Sequence, residues 1–498
     1  AMTHAQKVLC RTSLSWRRPC KVALQRHCGQ REFAQREFAS LKQSLPGRRW
    51  RTLGIRDDKQ HKVWYKDDVV ELSQAIQWLQ QSILPRGYPD SVSPNYLSYV
   101  QWTALSLLTG RIQSVLATQA ALFAIGLGKG AIPMAAAVQW ILKDGVGHAA
   151  AILYASFVNT KFDTDAKRYR FQSTVALTIA DFVSIVMPLF PQYFLLLASM
   201  SSAISSMANL AQMAARARIQ ASFAQRGNLA DCARCGQTQA KLMGLLGTGL
   251  GAGVSWFVGP SPLHVFGCMV PLACISVYGT YKSSELIVLK SLNLQRTERI
   301  FKHLLNELTR SAQGGKTLLR ALSPQQVADE ETFCYGEPTI FKQRLVIQPL
   351  IGASALGRIG DMFGSSQATV MDTSIIPALL GDRSGSWIAD WHLDGRYAIA
   401  LRQDGTSLLT AAPMYVWYQP VAEPAEKLRA IWHCCVIRHL IELAESSIQE
   451  EISDSSIQFM HAKAQCWWPD SLHAVKEQGW ALDRVFLDGA EASLDLER

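Results

Sequence analysis

Leu242 to Tyr281 reads LMGLLGTGLGAGVSWFVGPSPLHVFGCMVPLACISVYGTY, 40 residues without one Asp, Glu, Lys or Arg. About 20 apolar residues span a bilayer as a helix. This window therefore holds one span, or a helical hairpin broken at Pro260 and Pro262. A second uncharged window, 182–215, has 34 residues and a similar break at Pro188 and Pro191. Shorter uncharged windows cover 112–128 and 145–160. Small residues dominate, as in MSSAISSMANLA (200–211). Gly247/Gly251 and Gly249/Gly253 are small-xxx-small pairs, which let helices approach closely in lipid. The region reads as a membrane-embedded or membrane-associated set of helices. A large soluble bundle with an Ala/Gly-rich core fits the same pattern.

Outside these windows the chain is ordinary. Of its 498 residues, 48% are hydrophobic and 18% charged, below the quarter or so usual in soluble domains. Mean hydropathy is +0.05, which suits an apolar portion joined to a soluble one. The net charge of +10 is concentrated at the start. Residues 1–56 carry 13 Lys/Arg against Glu32 and Glu37, and the rest carries 37 basic and 38 acidic side chains. A near-neutral body needs no nucleic-acid partner to explain its pI. The Arg/Ser-rich beginning, with no acidic residue before Glu32, reads as an organellar targeting leader or a disordered basic arm. Eleven scattered cysteines outline no disulfide framework.

Residues 57–83 are expected to form an amphipathic helix and a linker, with Val69, Leu72, Ile76, Leu79 and Ile83 at helical spacing. Residues 84–300 form the apolar helical core. From 301 to 498 the pattern is that of a smaller soluble α+β domain. LNLQRTERIFKHLLNELTR and PAEKLRAIWHCCVIRHLIELAES are amphipathic helices, and RYAIALRQDGTSLLTAAP carries a hairpin signal at Asp404-Gly405. KEQGWALDRVFLD reads as helix, turn, strand. The expected fold class is mainly α: a multi-helix, membrane-associated bundle followed by that domain.

Most catalytic motifs fail on inspection. GGKT (314–317) has Arg310 where a phosphate-binding loop needs glycine. GTGLGA (247–252) has no strand before it and reads as close helix packing. Cys232 and Cys235 form a single CxxC without a second ligand pair for zinc. No metal site and no catalytic residue is expected.

Several stretches together are similar to one family. They are LPRGYPDSVSPNYLSYVQW (84–102), VLATQAAL with GLGKG (115–130), QWILKDGVGH (139–148), NTKFDTDAKRYRF (159–171), PLFPQYFL (188–195), FAQRGNLADCARCGQTQAKLMGLLG (223–247) and LNLQR (292–296). In order and spacing the chain resembles the root UVB sensitive family over about 84–300. GWALDRVFL (479–487) is similar to the family's ending. The motif residues carried over are Gly87, Tyr88, Pro89, Asp90, Gly145, Gly147, Arg226, Gly227, Asn228 and Asp231. The resemblance implies a non-enzymatic role in UV-B response, vitamin B6 homeostasis or auxin-like transport. It also implies an organellar membrane, plastid or mitochondrial, and a partner subunit such as a second family member. A scaffold that recruits partners through its C-terminal domain is a further alternative. Cys232 and Cys235 depart from the expected family residues, which argues against a family-wide redox pair.

The stretch WILKDGVGHAA (140–150) sets Lys143 and Asp144 inside the apolar region. Charges there are costly unless paired, and adjacent helical residues diverge by about 100°. Two readings follow. One is a polar pocket lined by Arg111, Lys143, Asp144, His148 and Asp181 that binds an anionic small molecule. Pyridoxal phosphate is the ligand the family resemblance suggests, with Lys143 as a Schiff-base or phosphate-contacting lysine, which would make the protein a pocketed helical enzyme or carrier. The other is an ion-pair network that fixes helix register. Lys161, Lys167, Arg168 and Arg170 are read as headgroup-facing or solvated, and Asn228 and Asp231 as turn and cap residues.

Overall fold

The computed structural model describes residues 39–45, 48–55, 63–65, 82–125, 133–158, 161–259, 261–312, 319–334, 340–341, 345–347, 387–392, 397–402, 414–418, 423–444 and 454–486. They fall into two compact units, Ala1–Gln77 and Trp78–Arg498.

The first unit is a three-stranded antiparallel sheet of β1 (Ala39–Leu45), β2 (Arg48–Ile55) and β3 (Val63–Tyr65), in that order. Ala39 faces Ile55 and Leu53 faces Tyr65. Pro46-Gly47, a turn dipeptide, separates β1 from β2 in sequence. Strands thus occupy part of the stretch read as a basic leader. Residues 1–38, and residues 66–81 of the helix and linker expected over 57–83, lie outside the described residues.

The second unit is mainly α. Its helical body comprises α1 (Tyr96–Ala124), α2 (Pro133–Val158), the short α3 (Lys161–Thr164), α4 (Ala166–Val186), α5 (Phe194–Phe223), α6 (Leu229–Val258) and α7 (Pro262–Glu285). The prolines act as expected. Two 3-10 turns, Met187–Leu189 and Pro191–Tyr193, separate α4 from α5, and Pro262 opens α7. Proline lacks an N–H and fixes φ, so it suits a first helical turn and not a helix interior. Four segments are long and apolar enough to cross a membrane: Ala166–Leu189, Pro191–Phe223, Leu229–Val258 and Pro262–Glu285. At 30 residues, α5 and α6 extend about 45 Å each.

Helix pairs meet through small residues. α1 packs on α6 and α7, α4 on α5, and α2 on α5. A Cβ at Gly247 would lie 2.8 Å from Arg111 Cβ and 2.9 Å from the Leu108 carbonyl, and one at Gly251 would lie 2.9 Å from Val115 Cβ. GTGLGA is therefore interior to α6 and serves close packing against α1. Gly249 and Gly253 face open space. Serines join the other seams: Ser184 to Ser201 at 2.9 Å, and Ser106 to Thr280 at 2.7 Å.

The two ends of the body differ. The turns at 187–193 and 259–261 contain no charged residue, and Trp256 and Phe257 beside the second are 81% and 82% exposed. The opposite end carries Arg168, Arg170, Arg216, Asp231, Arg234, Lys282 and Glu285. This charged end meets the remainder of the unit.

That remainder is α+β. β4 (Ser291–Leu292) leads into α8 (Leu294–Ala312), which spans the sequence-based boundary at 300/301, and then α9 (Pro324–Glu330). Ser323 caps α9 in a reciprocal capping box with Gln326. The mixed sheet β5 (Leu345–Ile347), β6 (Trp387–His392), β7 (Tyr397–Arg402) and β8 (Met414–Tyr418) has spatial order β5-β8-β7-β6, with β5 and β8 parallel. β7 and β8 form the expected antiparallel pair, with β8 starting at Met414 and Asp404-Gly405 outside the described residues. GGKT lies outside them as well. α10 (Pro424–Ala444) and α11 (Asp454–Glu477) follow, and Gly479 at φ +77 turns the chain into β9 (Ala481–Val485), parallel to β4. Helix, turn and strand are as the tail's sequence reads. The core gathers Ile300, Phe301, Leu304, Ile431 and Trp432. The Phe301 and Trp432 rings meet edge to face at 5.0 Å, and Trp432 Nε1 donates to the Ala464 carbonyl at 3.0 Å.

Candidate functional site

The residues read from sequence as one pocket fall into two groups. Lys143 and Asp144 pair with each other at 2.9 Å, and Lys143 Nζ lies 4.3 Å from the Trp140 ring centroid. The divergence expected of adjacent helical residues is overcome by the length of the lysine chain, which folds back over the indole. His148 is exposed. α2 packs chiefly on α5, where a Cβ at Gly147 would meet Ser202 and Ser206; Gly145 is open. Arg111 and Asp181 sit on α1 and α4, which pack together, and lie within electrostatic reach of each other. Arg111 is exposed and lines a groove of about 570 Å³ with Thr118, Gln119 and Ser255. Among the described residues no ion pair or hydrogen bond joins the two groups.

The other motif residues build joints. Arg86 N–H donates to Asp231 Oδ2 at 2.6 Å, and Asn228 Nδ2 donates to the Ser91 carbonyl at 3.1 Å. Asp231 also accepts from Arg234 at 2.9 Å. The 86–92 and 226–231 motifs are therefore one structural contact. Gly87 and Gly227 adopt φ of +76 and +68 in its two turns, a region that favours glycine. Tyr88 is half-buried; Pro89, Asp90 and Arg226 are exposed. Asn228 precedes α6 and makes no side-chain cap bond; it spends its amide on Ser91 instead.

The arginine and lysine of DAKRYR are a correction to the surface reading. Lys167 is 1% and Arg170 8% exposed. α4 begins at Ala166, so both project from its first turns toward the protein. Lys167 pairs with Glu331 at 2.8 Å and Arg296 with the same carboxylate at 2.6 Å. Asn293 donates to Asp165 and accepts from the Arg296 N–H at 2.9 Å. Two family stretches, 159–171 and LNLQR, thus converge on one carboxylate. Burial alone would raise the Glu331 pKa, but Arg296 and Lys167 pull it down to about 2. Burial raises that of Asp165.

Arg170 points elsewhere, into a cavity of about 50 Å³ in the charged-end half of the bundle. α1 supplies Tyr99, Thr103 and Ser106, and α4 supplies Arg170 and Thr174. α5 adds Gln212, Arg216 and Gln220, α6 adds Gln239, and α7 adds Thr280. Arg170 donates to Tyr99 OH at 2.6 Å, Thr103 Oγ1 at 2.9 Å and Ser283 Oγ at 3.0 Å. Its Nε is buried without a hydrogen-bond partner. Among the described lining residues there is no Asp or Glu, and neither Arg170 nor Arg216 forms an ion pair. Two guanidiniums without a counter-charge make this interior electropositive. The signal was present in sequence as Gln212-Arg216-Gln220, long polar side chains at four-residue spacing on one face of the helix. Arg216 fell just past the uncharged window, so its side of the helix went unread.

Residues 70–307 match the family model described as Vitamin B6 photo-protection and homoeostasis domain. The chain is 24% identical over 420 residues to Protein root UVB sensitive 3 of Arabidopsis thaliana, covering 81% of this chain and 83% of that protein. It is 33% identical over 221 residues to Protein root UVB sensitive 2, chloroplastic, of the same plant, covering 44% and 51%. RUS family member 1 of Dictyostelium discoideum is 28% identical over 254 residues, 50% of this chain and 48% of that one. No solved structure matches. The matched stretches carry the motifs that join the helical body to its C-terminal part, and residues 70–307 form a domain of the root UVB sensitive family.

Proposed function

We propose that this protein is a non-enzymatic, membrane-embedded binding protein or carrier acting in vitamin B6 homeostasis. The observation that carries the reading is the polar cavity enclosed by helices that are otherwise apolar. A chain that needed only to fold would fill that space with aliphatic side chains, because buried polar groups cost free energy even when hydrogen-bonded. The family domain's description supports vitamin B6 as the small molecule. The uncharged windows and the exposed Trp256 and Phe257 support lipid around the apolar end.

Pyridoxal phosphate suits the cavity chemically. Lys143, on the far side of α5, then serves packing and not the ligand. An organellar membrane, plastid for preference since one relative is named chloroplastic, and a second family member as partner complete the proposal.

The test is alkaline carbonate extraction followed by mass spectrometry of small molecules retained by the detergent-purified protein. Retention in the pellet with a co-purifying B6 vitamer is expected. Release by carbonate, or a protein carrying no vitamer after incubation with all of them, refutes it.

A further inference from the structure

We propose that the cavity beneath α1 and α5 is a phosphate-monoester site in which Arg170 and Arg216 jointly hold a doubly charged phosphoryl group. The inference rests on the binding-protein reading above and adds the ligand's chemical class and the residues that select it.

Three observations carry it. First, the charge is uncompensated. Among the described residues, every other deeply buried lysine or arginine of this unit has a carboxylate: Lys167 and Arg296 share Glu331, and Arg438 pairs with Glu298 at 2.6 Å. Arg170, 8% exposed, has only hydroxyls. A buried cation with neutral partners is costly unless a counter-ion completes it.

Second, the donors converge. Arg170 is locked by Tyr99 and Thr103 from one side, and the Tyr99 ring lies 4.9 Å from its guanidinium carbon. Locking leaves the Nε edge with an unused donor. Arg216 enters the same cavity from α5. Planar guanidiniums match phosphate oxygens better than lysine does, and two of them favour a dianion over a carboxylate.

Third, the space suits the group: Gly236, Gln220 and Gln239 line the same cavity as the two arginines. A volume of about 50 Å³ holds a few waters or one phosphoryl group. The ring or chain carrying the phosphate would extend toward the mouth.

A soluble phosphorylated metabolite and an anionic lipid headgroup share this chemistry. The experiment separates them by titrating the full-length protein in detergent with pyridoxal phosphate, pyridoxal, inorganic phosphate and sulfate, and in nanodiscs with or without phosphatidic acid. We expect pyridoxal phosphate to bind at least tenfold more tightly than pyridoxal. Affinity should fall as pH drops below about 6, where the phosphate takes up its second proton. Arg170→Gln and Arg216→Gln should each weaken phosphate binding at least tenfold, while Lys143→Gln leaves it unchanged. If Arg170→Gln fails to fold, Arg216→Gln and Gly236→Leu still decide, the latter by filling the space.

Binding of inorganic phosphate or of phosphatidic acid, lost in Arg216→Gln, upholds the site even if no B6 vitamer binds, which would retire the vitamin B6 reading alone. Pyridoxal binding as tightly as its phosphate, with wild-type affinity in both arginine variants, overturns the site and leaves the vitamin B6 reading standing. Binding of no anion at all also overturns it.

Discussion

Glu331→Gln is the most informative single substitution for the joint between the helical body and the C-terminal part. Glu331 is the only carboxylate within salt-bridge distance of both Lys167 and Arg296 among the described residues, and its side chain is 4% exposed. Glutamine keeps the volume and removes the charge. Two buried cations then face each other without compensation. The pKa of Glu331 falls from the model-peptide value of 4.5 to about 2. At 1.36 kcal/mol per unit, that is about 3 kcal/mol of stability at neutral pH. Breaking a buried pair typically costs about 3–5 kcal/mol, so the two routes agree. The sign is fixed: the folded-state pKa lies below the unfolded one, so the contribution is complete above about 4.5 and is lost as pH falls toward 2. In a thermal-shift assay in detergent at pH 7, Glu331→Gln should lower the melting temperature by about 5 °C or more. Lys167→Met should cost less, because Arg296 remains paired, and the double variant should cost less than the sum of the two. The reasoning fails if Glu331→Gln melts with the parent protein, or if the two costs simply add.

Other outcomes follow from particular contacts. Gly251→Leu drives a side chain into Val115 across the α1–α6 seam and should destabilise by about 1–3 kcal/mol; Gly253→Leu, facing open space, should not, and parallel melting curves check the pair. Lys143→Ala removes an ion pair whose Asp144 partner is half exposed, so it should cost less than about 1 kcal/mol and leave pyridoxal phosphate affinity intact in titration. Burial pushes the Cys434 thiol well up and that of Cys435 up to about 12. Iodoacetamide in native buffer should therefore modify exposed Cys466 and reach the buried pair only after denaturation, as peptide mass mapping would show.

Much of the fold was legible in advance because its signals are local. Pro188, Pro191 and Pro262 break helices wherever they sit, and an uncharged run of 34 or 40 residues has few other fates. The tail's helix, turn and strand were equally readable, since Gly479 punctuates a change from helical to alternating periodicity. The register of β7 on β8, Tyr397 against Tyr418, was not readable, because register is set by the partner strand and not by the turn alone.

What the sequence by itself determined is the apolar helical character of the body, its breaks, and its polarity from an uncharged end to a charged one. Tertiary structure alone decided which face of each helix turns inward. A helix apolar all round carries no amphipathic stripe to orient it, so Gly247/Gly251 and Gly249/Gly253 read alike until α1 is seen against the first pair only. The same holds for charge. Lys143 with Asp144 looked like the buried site and proved to be a mutual pair beside Trp140, while DAKRYR looked like a surface loop and supplied two buried cations, Lys167 and Arg170. A long side chain can reach several partners, and its environment depends on segments far along the chain: Glu331 for Lys167, and Tyr99, Thr103 and Ser283 for Arg170.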